Sequence, residues 1–316
     1  MISRRFDITA WVLLGAISLA GCGNYSNEDL DFQLALPEQS DIAVKMQLSV
    51  TRVDSADYYL ATRNAIATFN KMVADLVGLI EVVRGYVPTS RNGNERTWGP
   101  FPSKDTTGKD TNWEIQVRMQ RSPVSATLLH MDYWVEVRPV GQGNWVSFLT
   151  GKYDSHGSAR TGSGEIHLLA NQVRLPGYPV DDDPGLVNLD HLDVTYDNSG
   201  FPITVEMTIV NLTTTPTQTT QSGTYTYAQN QDGTGRMTFD WQGVTDTGIP
   251  ITANMTSQWV GSGAGRADLT ANITPGLPNP TTVPLGTDCW GVDTVATYSY
   301  RAQGNVTYLS PDSCLF

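Results

Sequence analysis

The segment SADYYLATRNAIATFNKMVADLVGLIEVVRG, from Ser55 to Gly85, repeats apolar residues at spacings of three, four and seven. This period predicts one long helix from Ser55 to Arg84, with Ser55 as its N-cap and Gly85 as its stop. The apolar stripe consists of Tyr59, Ile66, Phe69, Val73, Leu76, Ile80 and Val83. The second half is apolar around much of its circumference, so we expect cover on more than one side, with a coiled-coil partner as the alternative. Thr62 lies off the stripe and is expected to be exposed.

After Pro88 the pattern changes to alternation of apolar and polar residues, as in Tyr225 and Tyr227 or in Met237 and Phe239. A period of two predicts strands with one packed face, and short polar turns between them predict an antiparallel meander. The fold class is therefore mainly β (α+β). We expect a large curled antiparallel sheet, half-barrel-like, of about ten to twelve strands, with the long helix on its concave face. One early strand is expected around residues 43–53.

Glycine-rich runs raise the possibility of a phosphate site, at GTGRMTF from Gly233 and at GAGRADL from Gly263. Phosphate-binding glycine loops deliver the anion to the start of a helix, and no helix pattern follows either run. Glycines between alternating strands instead predict two hairpin turns that need positive φ. The Gly162-Ser163-Gly164 triplet lacks the nucleophile-elbow pattern and is also interpreted as a turn.

The N-terminal residues indicate where in the cell the protein is expected to be. A short basic stretch precedes ITAWVLLGAISLAGC, an apolar run too short to span a bilayer that ends in Leu-Ala-Gly-Cys22. This ending resembles a bacterial lipobox. The resemblance implies that residues 1–21 are a lipoprotein signal peptide, that Cys22 becomes the lipidated N-terminus, and that the position after it, Gly23, favours the outer membrane. An ordinary secretory signal is the alternative. Residues 22–41 are acidic and aperiodic, which predicts a flexible tether before a single β-rich domain over residues 42–316.

Charge and cysteines narrow the function classes. The net charge of −12, with no basic cluster, argues against a nucleic-acid partner. Besides Cys22, the sequence holds only Cys289 and Cys314. Outside the cytoplasm such a pair usually oxidises, so we predict a disulfide that closes a C-terminal segment and contributes about 3–4 kcal/mol. A metal bound by the two thiolates is the alternative, but no histidine follows His191.

Candidate chemistry is sparse. The four histidines, His130, His156, His167 and His191, show no metal-ligand spacing, and they are interpreted as surface or core residues. The run Asp181, Asp182 and Asp183 is the one weak candidate for calcium, although its spacing is not that of a calcium loop. Seven tryptophans follow the signal peptide, and most are expected to pack within the sheet. We therefore predict no catalytic residues, no resident metal and no cofactor.

The predicted order of elements, behind a lipobox, resembles the periplasmic lipoprotein-carrier and lipid-binding lipoprotein group, the LolA-type half-barrels. That resemblance concerns architecture alone and implies binding of an apolar ligand. We expect a non-enzymatic lipoprotein, anchored to the outer membrane by its lipid, that binds or carries an apolar molecule or binds an envelope protein partner. The alternatives are a structural surface lipoprotein without a ligand and an envelope hydrolase with dispersed catalytic residues.

Overall fold

The structure, a computed structural model, describes residues 26–46, 55–104, 108–123, 128–158, 160–174, 189–211, 222–244, 250–273, 281–302 and 314. Two compact units divide the chain. The first unit comprises Met1–Ile42 and Lys71–Gly200, and the second comprises Ala43–Asn70 and Phe201–Phe316. The boundary between Asn70 and Lys71 falls inside the long helix, so one part of this helix belongs to each unit.

The described helices are α1 (Asn27–Leu34), α2 (Gln39–Ile42), α3 (Asp57–Glu81), which continues as a 3-10 turn (Val82–Gly85), and α4 (Ala170–Val173). The strands of the first unit are β1 (Ser90–Asn92), β2 (Glu95–Lys104), β3 (Asp110–Pro123), β4 (Leu129–Pro139), β5 (Val146–Ser158), β6 (Thr161–Leu168) and β7 (Leu189–Asp197). The strands of the second unit are β8 (Ile203–Asn211), β9 (Ser222–Gln229), β10 (Gly235–Val244), β11 (Pro250–Trp259), β12 (Gly265–Ile273), β13 (Thr281–Trp290) and β14 (Ala296–Arg301).

The protein is mainly β, and its strands follow one another in sequence order. Each strand of the first unit pairs antiparallel with the next, from β1 to β7. The same holds in the second unit, from β8 to β14. The antiparallel meander is thereby confirmed, with 14 described strands rather than about ten to twelve.

Strands β1, β2 and β13 were not predicted, and in β2 and β13 proline and glycine interrupt the alternation. In β2 the pairing register shifts between Trp98 and Phe101, around the Gly-Pro dipeptide. In β13 a register shift leaves Leu285, beside Pro284, without a partner in β12. Proline is tolerated in strands at such bulges, where no ladder hydrogen bond is lost. The early strand expected at 43–53 is not found over residues 43–46, and residues 47–53 lie outside the described chain.

The long helix is confirmed, and every residue of its predicted stripe is at most 1% exposed. In the second unit, the Phe69 ring lies 5.8 Å from that of Tyr225, and the Tyr59 ring lies 5.6 Å from that of Trp290. The expectation for Thr62 was wrong, because this residue is fully buried. Its hydroxyl donates to the carbonyl oxygen of Tyr58 at 2.7 Å and lies 2.7 Å from the Ser257 hydroxyl. The buried face of the helix is therefore wider than its apolar stripe, because it also includes the polar residue Thr62.

Both hairpin predictions are confirmed. Gly233 (φ 83°) turns β9 into β10, and Gly263 (φ 92°) turns β11 into β12. The two turns share one hydrogen-bond pattern, in which the glycine N–H donates to a carbonyl oxygen three residues back. The equivalent geometry explains why the two glycine runs look alike in sequence.

The turn interpretation of the Gly162-Ser163-Gly164 triplet was wrong, because these residues lie within β6. At Gly162 a Cβ atom would meet the backbone carbonyl oxygen of Asp154 first, whereas at Gly164 the aromatic ring of an adjacent strand takes the space. A Cβ atom at Gly162 would lie 3.0 Å from the Tyr153 ring, and one at Gly164 would lie 2.5 Å from the Tyr196 hydroxyl. Glycine inside a strand here permits close approach of a ring rather than a change of chain direction.

The second unit repeats this device with tryptophan. Gly235 pairs with Trp259 across β10 and β11, and Gly265 pairs with Trp290 across β12 and β13. A Cβ atom would lie 2.5 Å from the Trp259 ring at the first glycine and 2.6 Å from the Trp290 ring at the second. Each indole thus lies over a glycine of its partner strand on the buried face.

Residues 26–42 differ from the tether predicted for 22–41. Ser26 and Asp29 form a reciprocal capping box that starts α1. Asp29 is fully buried, and its carboxylate accepts hydrogen bonds from Arg91 and Arg96 at 2.8–3.2 Å. Together these contacts fix α1 against the strands of the first unit. Among the described residues, α3 is long, but neither it nor any other helix combines the length and hydropathy needed to cross a membrane.

Candidate functional site

Charged and histidine side chains cover the more exposed face of β4–β7 in the first unit. These strands bury the alternate residues, such as Tyr133 and Val194, and turn the intervening ones outward. The result is a surface of nine residues, which we name the histidine–carboxylate surface. Its members are His130, Asp132, Lys152, Asp154, Glu165, His167, Asp190, His191 and Asp193.

Strand register brings the members of this surface together. His130 pairs with Asp154, and Asp132 pairs with Lys152, across β4 and β5. Lys152 in turn pairs with Glu165 across β5 and β6. His167 pairs with Asp193 across β6 and β7. Directly opposed residues on neighbouring strands lie about 4.5–5.5 Å apart at Cβ, so opposite charges contact without further arrangement.

His130 is held between two carboxylates. Its Nδ1 lies 2.6 Å from Asp154 Oδ1, and its Nε2 lies 3.2 Å from Asp132 Oδ1. An ionised carboxylate only accepts, so the doubly protonated imidazolium is the form that donates to both partners. Burial lowers the pKa of His130, but the hydrogen bond to Asp154 and the charges of both carboxylates outweigh it and raise this pKa above 6.5.

A second chain of ion pairs crosses three strands. Lys152 Nζ lies 2.6 Å from Glu165 Oε1, and this hydrogen bond is the main cause that lowers the pKa of Glu165. His167 lies between Glu165, at 3.6 Å, and Asp193, at 2.8 Å. His191 continues the chain, 3.7 Å from Asp193. His130 and His167 therefore each lie between two carboxylates. His191 is linked to His167 through Asp193.

Asp190 ends this chain. Its Oδ2 lies 2.7 Å from His191 Nδ1, so His191 also lies between two carboxylates. The five carboxylates and one lysine give the surface a net charge of −4 while its histidines are neutral. Protonation of all three histidines reduces that charge to −1.

An aromatic side chain borders the surface. Trp134 lies beside it on β4, half-buried, with the Arg118 guanidinium 3.9 Å from its ring centroid. Such a cation–π pair is worth about 0.5–1 kcal/mol when exposed. Arg118 is in turn 3.5 Å from Glu136. The arrangement supplies a flat apolar patch next to acidic side chains, a combination suited to binding through contact rather than to chemistry.

A catalytic triad is not assembled on this surface. His130, Asp154 and Ser163 occupy neighbouring register positions on β4, β5 and β6, in that order. A triad needs the histidine between the serine and the acid, whereas here the acid lies between them. Ser163 and His130 are two strand spacings apart, about 9.5 Å. The described residues also include no group of three or more histidine, cysteine, aspartate or glutamate side chains placed to hold a metal ion.

The predicted disulfide is confirmed. Cys289 on β13 and Cys314 are bonded, with their Cα atoms 5.5 Å apart, within the usual range of about 4.4–6.8 Å. Cys22 and the calcium candidates Asp181, Asp182 and Asp183 lie outside the described residues. Trp98, Trp113, Trp259 and Trp290 are buried, as expected of sheet packing.

The surface that the histidines form was not predicted from the sequence, where they lie far apart and show no metal-ligand spacing. A signal was present in three of the four strands, β4, β6 and β7: His130-x-Asp132, Glu165-x-His167 and His191-x-Asp193. Residues two apart on a strand share a face, so each triplet places a histidine and a carboxylate side by side. His156 is exposed at the end of β5 and lies outside the ion-pair chains.

Comparison of the chain with protein-family models, with curated proteins and with solved structures finds no significant match.

Proposed function

We propose that the protein is a lipoprotein anchored to the outer membrane through Cys22, and that it binds an envelope protein partner without catalysis. The lipobox at Leu-Ala-Gly-Cys22 supports the anchor. The histidine–carboxylate surface supports the binding role, and it is the observation that carries the proposal. Its side chains are held in place by ion pairs across four strands, so little side-chain entropy is lost when a partner binds.

The partner has a basic contact segment. A surface with charge −4 attracts lysine and arginine side chains, which raises the association rate and fixes orientation. The Trp134 ring, paired with Arg118, provides an apolar contact at its border. Aromatic and arginine side chains are enriched where protein interfaces draw their binding energy. A nucleic acid or an anionic lipid surface would be repelled by the same charge.

An apolar ligand receives less support than a protein partner. In the second unit the Phe69 and Tyr59 rings contact aromatic rings of the sheet directly, so these positions are filled by side chains. A curled, half-barrel-like sheet with α3 on its concave face stays a prediction from the sequence. What supports it is the complete burial of the apolar stripe of that helix.

Binding of a basic probe tests the proposal. We would neutralise three carboxylates by Asp132→Asn, Glu165→Gln and Asp193→Asn, and measure binding of a fluorescent oligolysine peptide by anisotropy at low salt. We expect at least about a tenfold loss of affinity, since each lost charge removes an attraction of about 0.5–1 kcal/mol. The matched control is Asp240→Asn with Asp268→Asn, on the second unit. An equal loss in the control would show non-specific attraction and contradict the assigned surface.

The anchor has its own test. Protein extracted from bacterial envelopes should carry acyl mass on Cys22, and a Cys22→Ser variant should leave the membrane fraction. An unchanged membrane fraction for that variant, with no acyl mass on the wild-type protein, would contradict the lipidation.

A further inference from the structure

Helix α1 exposes two leucines on one side. Among the described residues, six large apolar side chains are substantially exposed, and Leu30 (44%) and Leu34 (40%) are the two that share an element. Residues four apart on a helix are neighbours on its surface. The others, Val140, Phe201, Leu285 and Val292, lie in separate parts of the sequence. The leucine pair is therefore the one apolar patch that a helix presents in the described chain.

The direction of this patch is fixed. Phe32, between the two leucines in sequence, is fully buried, with the guanidinium groups of Arg96 and Arg121 4.9 Å and 5.5 Å from its ring centroid. Asp29 is also fully buried and bonded to Arg91 and Arg96. Burial raises the pKa of Asp29, but hydrogen bonds from Arg91, Ser26 and Arg96 outweigh it and hold this pKa far below its ordinary value. Because the inward side of α1 is tied down, Leu30 and Leu34 cannot turn inward.

The acidic side chains of α1 do not prevent contact with lipid. Glu28 lies 2.8 Å from Arg96, and Asp31 lies 3.5 Å from Arg121. Asp29 lies 2.9 Å from Arg91, so three carboxylates are matched by three arginines. Each negative charge on the helix thus has a local cation, and the patch between them is apolar.

We propose that Leu30 and Leu34 contact the bilayer beside the acyl chains on Cys22, so that the folded protein rests on its membrane through α1. This inference rests on the proposed lipidation. Five residue steps separate Cys22 from Asn27, the first residue of α1. An extended chain covers at most about 3.3–3.6 Å per residue, so α1 starts within about 18 Å of the anchored cysteine. Leucines at the interface, next to an anchor, add affinity in proportion to the apolar area that leaves water.

Partition into vesicles with a weak synthetic anchor tests the contact. The Cys289–Cys314 disulfide leaves Cys22 as the one free thiol of the three cysteines, so a single myristoyl-maleimide can be attached there. One such chain gives marginal, reversible membrane binding, which makes an added contribution from the protein measurable. The chain from Cys22 to Phe316 would be titrated with vesicles of phosphatidylethanolamine containing a minor share of phosphatidylglycerol.

We expect Leu30→Gln with Leu34→Gln to lower the partition coefficient by about tenfold. The matched control, Val140→Gln with Val292→Gln, should lower it by less than about twofold. Equal partition coefficients for the two double variants would overturn the proposal. A change of oligomeric state that occurs without vesicles, and in the leucine variant alone, would also overturn it, because the patch would then bind a second copy of the chain. Equal melting temperatures would show that both variants fold. The vesicle experiment uses a synthetic anchor and does not depend on natural acylation of Cys22. If the natural protein carries no acyl chain there, the proposed function is contradicted, while the measured partition coefficients still report whether the two leucines contact lipid.

Discussion

The two units have the same topology and different exposed faces. In the first unit the exposed face of β4–β7 carries histidines, carboxylates and a lysine in connected ion pairs. In the second unit the row Thr226, Thr238 and Thr256 across β9–β11 carries hydroxyl groups, and it ends at Asp268 on β12, which is paired with Arg266. Both units bury the other face of their strands in aromatic and aliphatic side chains. The buried face therefore determines the meander, and the exposed face is left to carry binding chemistry.

Aromatic rings that lie over strand glycines are held in two ways, and both occur in each unit: the Tyr133 hydroxyl donates to the carbonyl oxygen of Glu165, whereas Trp259 Nε1 has no hydrogen-bond partner among the described residues. Trp290 donates from Nε1 to the carbonyl oxygen of Gly263 at 2.9 Å, which fixes the indole over Gly265. The Tyr196 hydroxyl over Gly164 is buried and has no hydrogen-bond partner among the described residues. An anchored ring resists displacement, whereas a ring with a free end can shift. This difference predicts unequal responses to substitution.

The largest effect should come from the helix in the second unit. Phe69→Ala removes a fully buried ring that packs on Tyr225, and we expect it to destabilise the protein by about 3–5 kcal/mol. Denaturant unfolding measures this, with the exposed Thr68→Ala as control. Thr62 does not serve as a control because it is buried. If Phe69→Ala unfolds at the denaturant concentration of the control, the contact with Tyr225 contributes nothing to the core.

An intermediate effect should separate the two kinds of aromatic packing. In Gly265→Ala the new methyl meets the Gln258 carbonyl oxygen and the anchored Trp290 ring, so we expect a loss of about 1–3 kcal/mol. In Gly164→Ala the methyl meets only the phenol end of Tyr196, and we expect a loss below about 1 kcal/mol. Melting temperatures of the two variants measure the difference. The reverse order would mean that Tyr196 is the more rigidly held ring.

The smallest effect concerns pH and belongs to the first unit, since the second unit contains no histidine. The folded pKa of His130 is raised, so its stabilisation is complete below about pH 6.5 and is lost as pH rises through the folded pKa. Asp132 and Asp154 face this imidazole, and Lys152 lies beside them. His130→Gln should therefore be less stable than the wild type at pH 5.5, by less than about 1 kcal/mol, and equally stable at pH 8.5. A larger deficit at pH 8.5 than at pH 5.5 would contradict the ion pairs.

Local patterns determined which parts of the fold were predictable. The helix stripe, the alternating strands and the hairpin glycines each follow from a few neighbouring residues. The N-terminal helix α1 was interpreted as tether because its composition is acidic, although the capping box of Ser26 and Asp29 was visible in the sequence. Its stability comes from Arg91 and Arg96, more than 60 residues away, and composition does not report such pairs.

The candidate site was less predictable than the fold. The disulfide was predicted because only two cysteines remained to be paired. The histidine–carboxylate surface depends on strand register, which places His130 opposite Asp154 and His167 opposite Asp193. A shift of one residue in either pairing would turn these side chains to the other face. The triplets within each strand indicated shared faces, and only the structure supplied the alignment between strands.

The division of α3 between the units has a consequence for the order of folding. Residues Ala43–Asn70 belong with Phe201–Phe316, whereas Lys71–Gly200 lies between them in sequence. On a chain that emerges from its N-terminus, the strands of the first unit are available early, but Phe69 waits about 150 residues for Tyr225. Before the strands of the second unit are synthesised, the apolar residues of α3 up to Phe69 have no strand of their own unit to cover them. The second unit is therefore completed last, and its part of the apolar helix stripe stays uncovered longest during synthesis.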